Sequence, residues 1–319
     1  MKRLSLAVLA VAFAASASPV RAVPLASPGA GPDVPTVTAP AASVSVFDNE
    51  RFSFEESAHT KTFDVPAGDW RRIILTFTGT PDGDPWDRLF GIAIGGVEVL
   101  RGTTPRAQFT IRKDVTAFGS LLPAGEQAQM SLLLSTYVGA QVGSVQLDFY
   151  ADEPTAELVE GAASSAAGIF RWDRLHGSGR TLRRTVQFPD APPARAVVEL
   201  TTTGHGDEEF WYQRGPKPRQ FHILIDGVEV GRAVSMPYVY ALIGIDGGVG
   251  RLLHPLMWWT AHRALDEAGV HSGVGEIRPY SVEVDPALLH LFEGARTVEV
   301  LQEGGGSVWI TSLSVRFTA

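Results

Sequence analysis

Apolar and polar residues alternate along most of the chain after residue 45, as they do in β-strands with one buried face. Runs such as RRIILTFT (71–78), MSLLLSTY (130–137) and SVQLDFY (144–150) are rich in β-branched and aromatic residues and are bounded by turn-forming residues. Helical patterning is limited to Thr116–Leu122, Pro286–Phe292 and part of 251–268. The pattern therefore predicts an all-β protein.

The strand pattern occurs twice, in the same order. TKTFDVPAGDWRRIILTFTGT (60–80) matches RRTVQFPDAPPARAVVELTTT (183–203), and FGIAIGGVEVLR (90–101) matches FHILIDGVEVGR (221–232). A repeat of about 125 residues is long enough to bury its own core, so each copy is expected to be a domain. We predict two tandem antiparallel β-sandwiches of the jelly-roll type.

Gly95-Gly96 and Asp226-Gly227 mark equivalent hairpins in the two copies, because a two-residue turn between alternating runs needs positive φ. The predicted first domain covers residues 45–152 and the second covers residues 153–319, with the junction near Asp152–Gly168.

The N-terminus has the three parts of a secretory signal peptide: Lys2 and Arg3, an apolar run over 4–15, and small residues up to Ala22. Residues 23–44 are rich in Pro, Ala and Gly with a single charge, so we predict a disordered tether. No later stretch supplies the roughly 20 apolar residues of a membrane span. These features predict a bacterial protein, secreted or periplasmic, without a membrane anchor.

The chain of 319 residues contains no cysteine and has a net charge of −8 at pH 7. The absence of cysteine excludes disulfides and thiolate metal sites. The acidic charge argues against a protein that follows nucleic-acid phosphates and favours a neutral or cationic partner, or a sugar. Nothing in the sequence requires more than a monomer.

Each repeat places acids beside aromatic rings in the loop before its hairpin. The first loop, TPDGDPWDRLF (80–90), contains Trp86, Asp87 and Arg88; the second, GHGDEEFWYQ (204–213), has three consecutive acids at 207–209. Rings can stack on a pyranose while carboxylates accept hydrogen bonds from its hydroxyls. Two carboxylates can also serve as general base and general acid. Two sandwiches side by side can bring both loops into one cleft.

Structural interpretations of these residues remain open. Asp87 and Arg88 can form a surface ion pair, and Glu208 and Glu209 a charged strand edge. Trp86 and Trp211 can be packing residues. The spacing of Asp82, Asp84 and Asp87 lacks the rest of a calcium loop, and no second histidine lies at metal spacing from His205, so no metal is predicted. The Trp-Asp-Arg triplet at 172–174 is interpreted as coincidence.

The two loops and their flanks resemble the peptide:N-glycanase A family. WDRLFGIAIGGVEVLRGTTP (86–105) followed by IRKDVTAF (111–118) is similar to that family's first-domain pattern, and HGDEEFWYQ (205–213) is similar to its second-domain motif. The resemblance runs from about Phe63 to the C-terminus. A more remote similarity is to the PNGase F type, which has two jelly rolls and a Trp-Asp-Arg in the first.

The resemblance implies hydrolysis of the amide between an N-glycosylated asparagine and its first N-acetylglucosamine, with no cofactor. It places the principal catalytic aspartate at Asp87 and the second acid at Glu209. Substrate-binding residues are expected around them and in the long loop that follows the second hairpin: Trp86, Arg88, His205, Asp207, Glu208, Trp211, Tyr212, Trp258 and Trp259.

One departure from the PNGase F type concerns a third acid on a later strand of the first domain, where MSLLLSTYVG has only Ser135 and Thr136. Two rival functions follow. One is a catalytically silent N-glycan-binding protein on the same scaffold, and the other is a glycosidase that cuts within the sugar with two carboxylates. The product distinguishes them, because only an amidase converts the asparagine to aspartate.

Overall fold

The computed structural model describes residues 39–83, 89–104, 108–136, 139–151, 165–176, 180–205, 212–213, 219–234, 236–237, 239–245, 248–252, 275–276, 279–303 and 308–318. Within these ranges the first half of the chain contains eight strands: β1 (Ala42–Phe52), β2 (Ala58–Asp64), β3 (Arg72–Asp82), β4 (Leu89–Ile94), β5 (Val97–Thr103), β6 (Phe109–Asp114), β7 (Gln127–Leu134) and β8 (Ala140–Tyr150). A 3₁₀ helix, Thr116–Leu121, follows β6.

The second half contains an equivalent set of strands and a 3₁₀ helix, Pro286–Phe292, and it adds short strands before and after its hairpin. The strands are β9 (Ser165–His176), β10 (Arg180–Gln187), β11 (Arg195–His205), β12 (Tyr212–Gln213), β13 (Gln220–Ile225), β14 (Val228–Val234), β15 (Met236–Pro237), β16 (Val239–Ile245), β17 (Gly248–Leu252), β18 (Gly275–Glu276), β19 (Tyr280–Glu283), β20 (Ala295–Glu303) and β21 (Val308–Thr318).

The two halves have the same sheet topology. In the first, the strand orders are β1-β8-β3-β6 and β5-β4-β7-β2; in the second, they are β9-β21-β11-β19 and β14-β13-β20-β10. Each half is therefore an antiparallel jelly-roll sandwich, and the all-β, two-domain prediction is confirmed. The first domain's second sheet gains a fifth strand, because β18 pairs with the edge of β5.

Both predicted hairpin turns are present. Gly95 and Gly96 have φ of 54° and 84°, and Asp226 and Gly227 have φ of 49° and 81°. Positive φ at both central positions matches the right-handed twist of the flanking strands. The two predicted helical segments near 116 and 286 are 3₁₀ helices; most of the third, 253–268, lies outside the described residues, and its first residues end β17.

Each domain has its own aromatic-rich core. Phe77, Phe90 and Phe109 pack together in the first, with ring centroids 4.8 Å apart for Phe77 and Phe90. In the second, Phe221 and Trp309 meet at 5.1 Å. These residues occupy the inward positions of alternating strands, as the period of two requires.

One predicted boundary is wrong. The tether was expected to continue to Val44, but β1 begins at Ala42 and pairs with β8 from Ala42↔Phe149 onward. The small residues of ASVSV alternate with valines, and pairing with β8 satisfies their backbone groups. The junction itself, 152–164, lies outside the described residues, as do 1–38, so the domain boundary and the signal peptide remain predictions. No helix within the described ranges is long and apolar enough to cross a bilayer.

Candidate active site

The first acidic loop joins β3 to β4. β3 ends at Asp82, whose Oδ2 accepts a hydrogen bond from Arg51 Nε at 2.8 Å, and Gly83 follows with a φ of 107°. β4 begins at Leu89. The predicted residues Trp86, Asp87 and Arg88 lie outside the described residues, so only the two strand ends that hold this loop are placed.

The second acidic loop follows β11, which ends at His205. Residues 206–211, with Asp207, Glu208, Glu209 and Trp211, lie outside the described residues. His205 and Tyr212 are placed by their backbones: His205 pairs with Val308, and Tyr212 pairs in parallel with Met236. Trp258 and Trp259 lie outside the described residues as well.

One strand next to each loop lies at the domain interface. Leu89, directly after the first loop, is 3% exposed and packs with Leu133, Ile310 and Trp172. Ile310 is paired with Thr203, two residues before the end of β11. The first residue of β4 is therefore in the same buried cluster as a residue of the strand pair that leads into the second loop.

The position that resembles the site of a third acid is also beside the first loop. Ser135 donates its backbone N–H to Leu89 O at 2.8 Å, and Thr136 is 4% exposed. The run in which the resemblance implies a third acid thus contains a buried threonine beside the first loop. Its hydroxyl can donate or accept a hydrogen bond, but it does not ionise at working pH.

Sequence reasoning missed three residues at this interface: Glu98, Arg101 and Trp172. The Trp172 indole nitrogen donates to Glu98 Oε1 at 2.8 Å, and Arg101 donates to both Glu98 and the second domain. The triplet at 172–174 was interpreted as coincidence because it lies outside the hairpin loop. Its tryptophan nevertheless contacts the first domain.

A cleft of about 190 Å³ opens between the domains, lined by Glu98, Arg101, Lys113, Glu199, Thr201 and Arg316 among others. Glu199 lies six positions before His205 on β11, which is roughly 20 Å at 3.3 Å per residue. Its Oε1 accepts from Arg316 Nη2 at 2.8 Å. The Glu199 end of this cleft thus lies away from the acidic loops, and two of its ion pairs are Glu98–Arg101 and Glu199–Arg316.

Two jelly rolls in contact, each with an acid-bearing loop where its strands reach the interface, define the class of tandem-sandwich proteins to which this chain belongs. The family is shown by the match of residues 33–258 to the family model described as peptide N-acetyl-beta-D-glucosaminyl asparaginase amidase A. The chain is a member of that family, and the match includes both acidic loops.

A curated protein is similar to this chain over most of the chain's length. The peptide-N4-(N-acetyl-beta-glucosaminyl)asparagine amidase A of Prunus dulcis is 25% identical over 279 residues, which cover 74% of this chain and 46% of that protein. The chain thus spans about half the length of this curated relative.

Among solved structures, PNGF-II matches with a TM-score of 0.58 and 14% identity, covering 86% of this chain and 65% of that one. PNGase F, a glycosylasparaginase from Flavobacterium meningosepticum, matches with a TM-score of 0.56 and 14% identity, covering 87% and 96%. At this identity the two structures establish the shared fold.

Proposed function

We propose that the protein is a peptide:N-glycanase, which hydrolyses the amide bond between an asparagine side chain and N-acetylglucosamine. Water adds to the amide carbon, the C–N bond breaks, and a proton passes to the leaving nitrogen. The products are a glycosylamine and an aspartate. The observation that carries the proposal is that the family match, residues 33–258, spans both acidic loops. The buried cluster of Leu89, Leu133 and Ile310 supports it, because this cluster links β4, which follows the first loop, to β21, the partner of β11.

The proposed roles follow from the chemistry of each side chain. Asp87 orients and deprotonates the attacking water, and Arg88 keeps Asp87 ionised. Glu209 binds the first sugar and assists proton transfer to the leaving nitrogen. The remaining residues contact glycan or peptide through rings and polar groups: Trp86, His205, Asp207, Glu208, Trp211, Tyr212, Trp258 and Trp259.

The proposed substrate is an N-glycosylated peptide or glycoprotein. The proposed enzyme is an exported, monomeric bacterial protein that needs no metal or cofactor and has no membrane anchor. The signal-peptide pattern of residues 1–22 supports export. The net charge of −8 supports a partner other than nucleic acid.

A catalytically silent N-glycan-binding protein is the second candidate. Thr136, buried beside the first acidic loop where a third acid is expected, favours it. Loss of one carboxylate can remove proton transfer while leaving ring and hydroxyl contacts with the glycan in place.

Mass spectrometry of a defined N-glycopeptide in H₂¹⁸O separates these functions. The chain from Val23 onward is incubated over a range of pH beside Asp87→Asn and Glu209→Gln, which keep side-chain size. An amidase yields a peptide with aspartate at the former glycosylation site and one ¹⁸O in its carboxyl group, and Asp87→Asn abolishes it. A glycosidase leaves sugar on asparagine. An intact glycopeptide that still binds the folded protein identifies the silent binder and overturns the amidase.

A further inference from the structure

A β-bulge in the first hairpin creates a buried ion pair. The pairing of β4 with β5 shifts register between Ile92 and Ala93, which leaves Val99 as an extra residue on β5. In a regular strand Glu98 and Arg101 would point to opposite faces, but one inserted residue brings them to the same face. Arg101 Nε and Nη2 donate to the two Glu98 oxygens at 2.8 and 2.7 Å, and the side chains are 1% and 4% exposed.

The other donors of Arg101 reach the second domain. Nη1 donates to Ile310 O at 2.6 Å and to Thr203 Oγ1 at 3.2 Å, and Nη2 donates to Ser312 Oγ at 3.0 Å. A single planar guanidinium therefore joins β5 to both β11 and β21. Lysine cannot reproduce this arrangement, because its one ammonium lacks the fixed fork of five donors.

Trp172 strengthens the same connection from the other side. Its indole nitrogen donates to Glu98, and its backbone N–H donates to Ser312 Oγ at 3.0 Å. It has a φ of 57°, within the register shift between β9 and β21 that lies between Thr311 and Leu313. A left-handed conformation is strained for a bulky residue and persists only where the surroundings determine it. Here it directs the ring toward the first domain.

Glu98, Arg101 and Trp172, hereafter the interdomain lock, lie beside the bases of both acidic loops. Trp172 packs against the small buried cluster that contains Leu89, the residue after the first loop. Thr203 lies six positions before Glu209. Resting on the proposed amidase function, we propose that Arg101 and Trp172 are positioning residues that fix the separation between Asp87 and Glu209. They act through β4 and β11 and not by touching substrate.

The second domain contains the same motif without the lock. β13 and β14 shift register between Ile223 and Leu224, and Glu229 pairs with Arg232 at 2.9 Å. This pair is 37% and 51% exposed, and its other hydrogen-bonding partner is His222 of the same hairpin. Arg232 is therefore a matched control for Arg101, with the same bulge, spacing and ion pair.

The test compares Arg101→Lys and Trp172→Phe with Arg232→Lys in the full chain from Val23. Steady-state kinetics on a defined N-glycopeptide are corrected for the folded fraction measured by circular dichroism. Arg101→Lys is expected to lower kcat at least tenfold with KM within threefold, and to shift the pH profile of kcat, because both depend on the separation of the two acids. Arg232→Lys is expected to leave kcat and KM within twofold of the wild-type values and the pH profile of kcat unchanged. Wild-type kcat and pH profile in Arg101→Lys and Trp172→Phe would overturn the proposal.

A second readout does not depend on activity. The chain lacks cysteine, so spin labels can be attached at Asp69→Cys and Asp190→Cys, two exposed positions in different domains. Arg101→Lys is expected to broaden the interspin distance distribution, while Arg232→Lys leaves it unchanged. An inactive wild-type protein overturns the amidase function alone. The interspin distances then show by themselves whether Arg101 holds the two domains in place. Unchanged distances in Arg101→Lys overturn the lock.

Discussion

Gly91 and Trp172 face each other across the domain interface with no room for another atom. A Cβ on Gly91 would lie 2.5 Å from Trp172 Nε1 and 2.7 Å from Glu98 Oε1. Gly91 is thus a glycine because the indole and the carboxylate occupy the space of its missing side chain. The close approach depends on this position having no Cβ.

Gly91→Ala is expected to destabilise the protein by about 1–3 kcal/mol, because a methyl group forces the indole and Glu98 apart. Chemical unfolding followed by circular dichroism measures the change. Gly119→Ala is the control, since the nearest atom to its Cβ is Ile73 Cδ1 at 3.9 Å, an ordinary contact. Equal stability of Gly91→Ala and wild type would contradict the tight interface.

Gly227→Ala is expected to cost about 1 kcal/mol for a different reason. No atom lies within 4 Å of its Cβ, so the cost comes only from a φ of 81°. Gly227→Asn is expected to cost less, because asparagine tolerates the left-handed region. Thermal unfolding of the two variants side by side checks this order; an alanine variant as stable as the asparagine variant would argue against a strained turn.

Two Arg–Asp pairs, each with one residue on β3, are expected to contribute differently to the free energy of unfolding. Arg51 and Asp82 are 63% and 51% exposed, so Arg51→Met is expected to change stability by less than about 0.5 kcal/mol. Arg72 is 5% exposed and pairs with Asp114 at 3.2 Å. Arg72→Met leaves that carboxylate partly buried and is expected to cost about 2 kcal/mol. Urea unfolding in low and high salt compares them, and similar losses would contradict the role of burial.

Glu50 gives the protein a pH-dependent stability. Its hydrogen bond from Lys61 lowers its pKa below the ordinary value of 4.5, assisted by His59. A lowered carboxyl pKa stabilises the fold above pH 4.5 and the gain is lost as pH falls through the folded-state pKa. The stability difference between wild type and Glu50→Gln should therefore shrink at acidic pH. Lys61→Met should remove most of this pH dependence; a constant difference from pH 7 to 3 would contradict it.

The hairpins, the repeat and the jelly-roll architecture were predictable because period-two alternation and turn residues are local signals. The face that joins the domains was not. On β21, Trp309 and Leu313 point into the core, while Ile310, Ser312 and Ser314 point outward and are still buried. Small hydroxyl side chains suit either solvent or a close interface, so their burial follows from the neighbouring domain and not from the strand itself.

The interdomain lock could not be predicted from the sequence either. In GVEVLR the pattern is that of a regular strand, in which Val97, Val99 and Arg101 share one face. No residue in the sequence indicates the bulge that places Glu98 beside Arg101. For the site, the acid and aromatic types in both loops predicted its chemistry. The positions of Asp87 and Glu209 lie outside the described residues, so their roles stay predictions.

The repeated Glu-Val-X-Arg hairpin has a consequence for symmetry. The first domain contributes its hairpin sheet to the interface, whereas the second contributes the sheet containing β9, β11 and β21. The contact is heterologous, since unlike faces of two like folds meet head to tail, and no two-fold axis relates them. The two hairpins can therefore evolve independently. A substitution in the first hairpin changes the contact between the domains, whereas the equivalent substitution in the second hairpin changes only a solvent-facing ion pair.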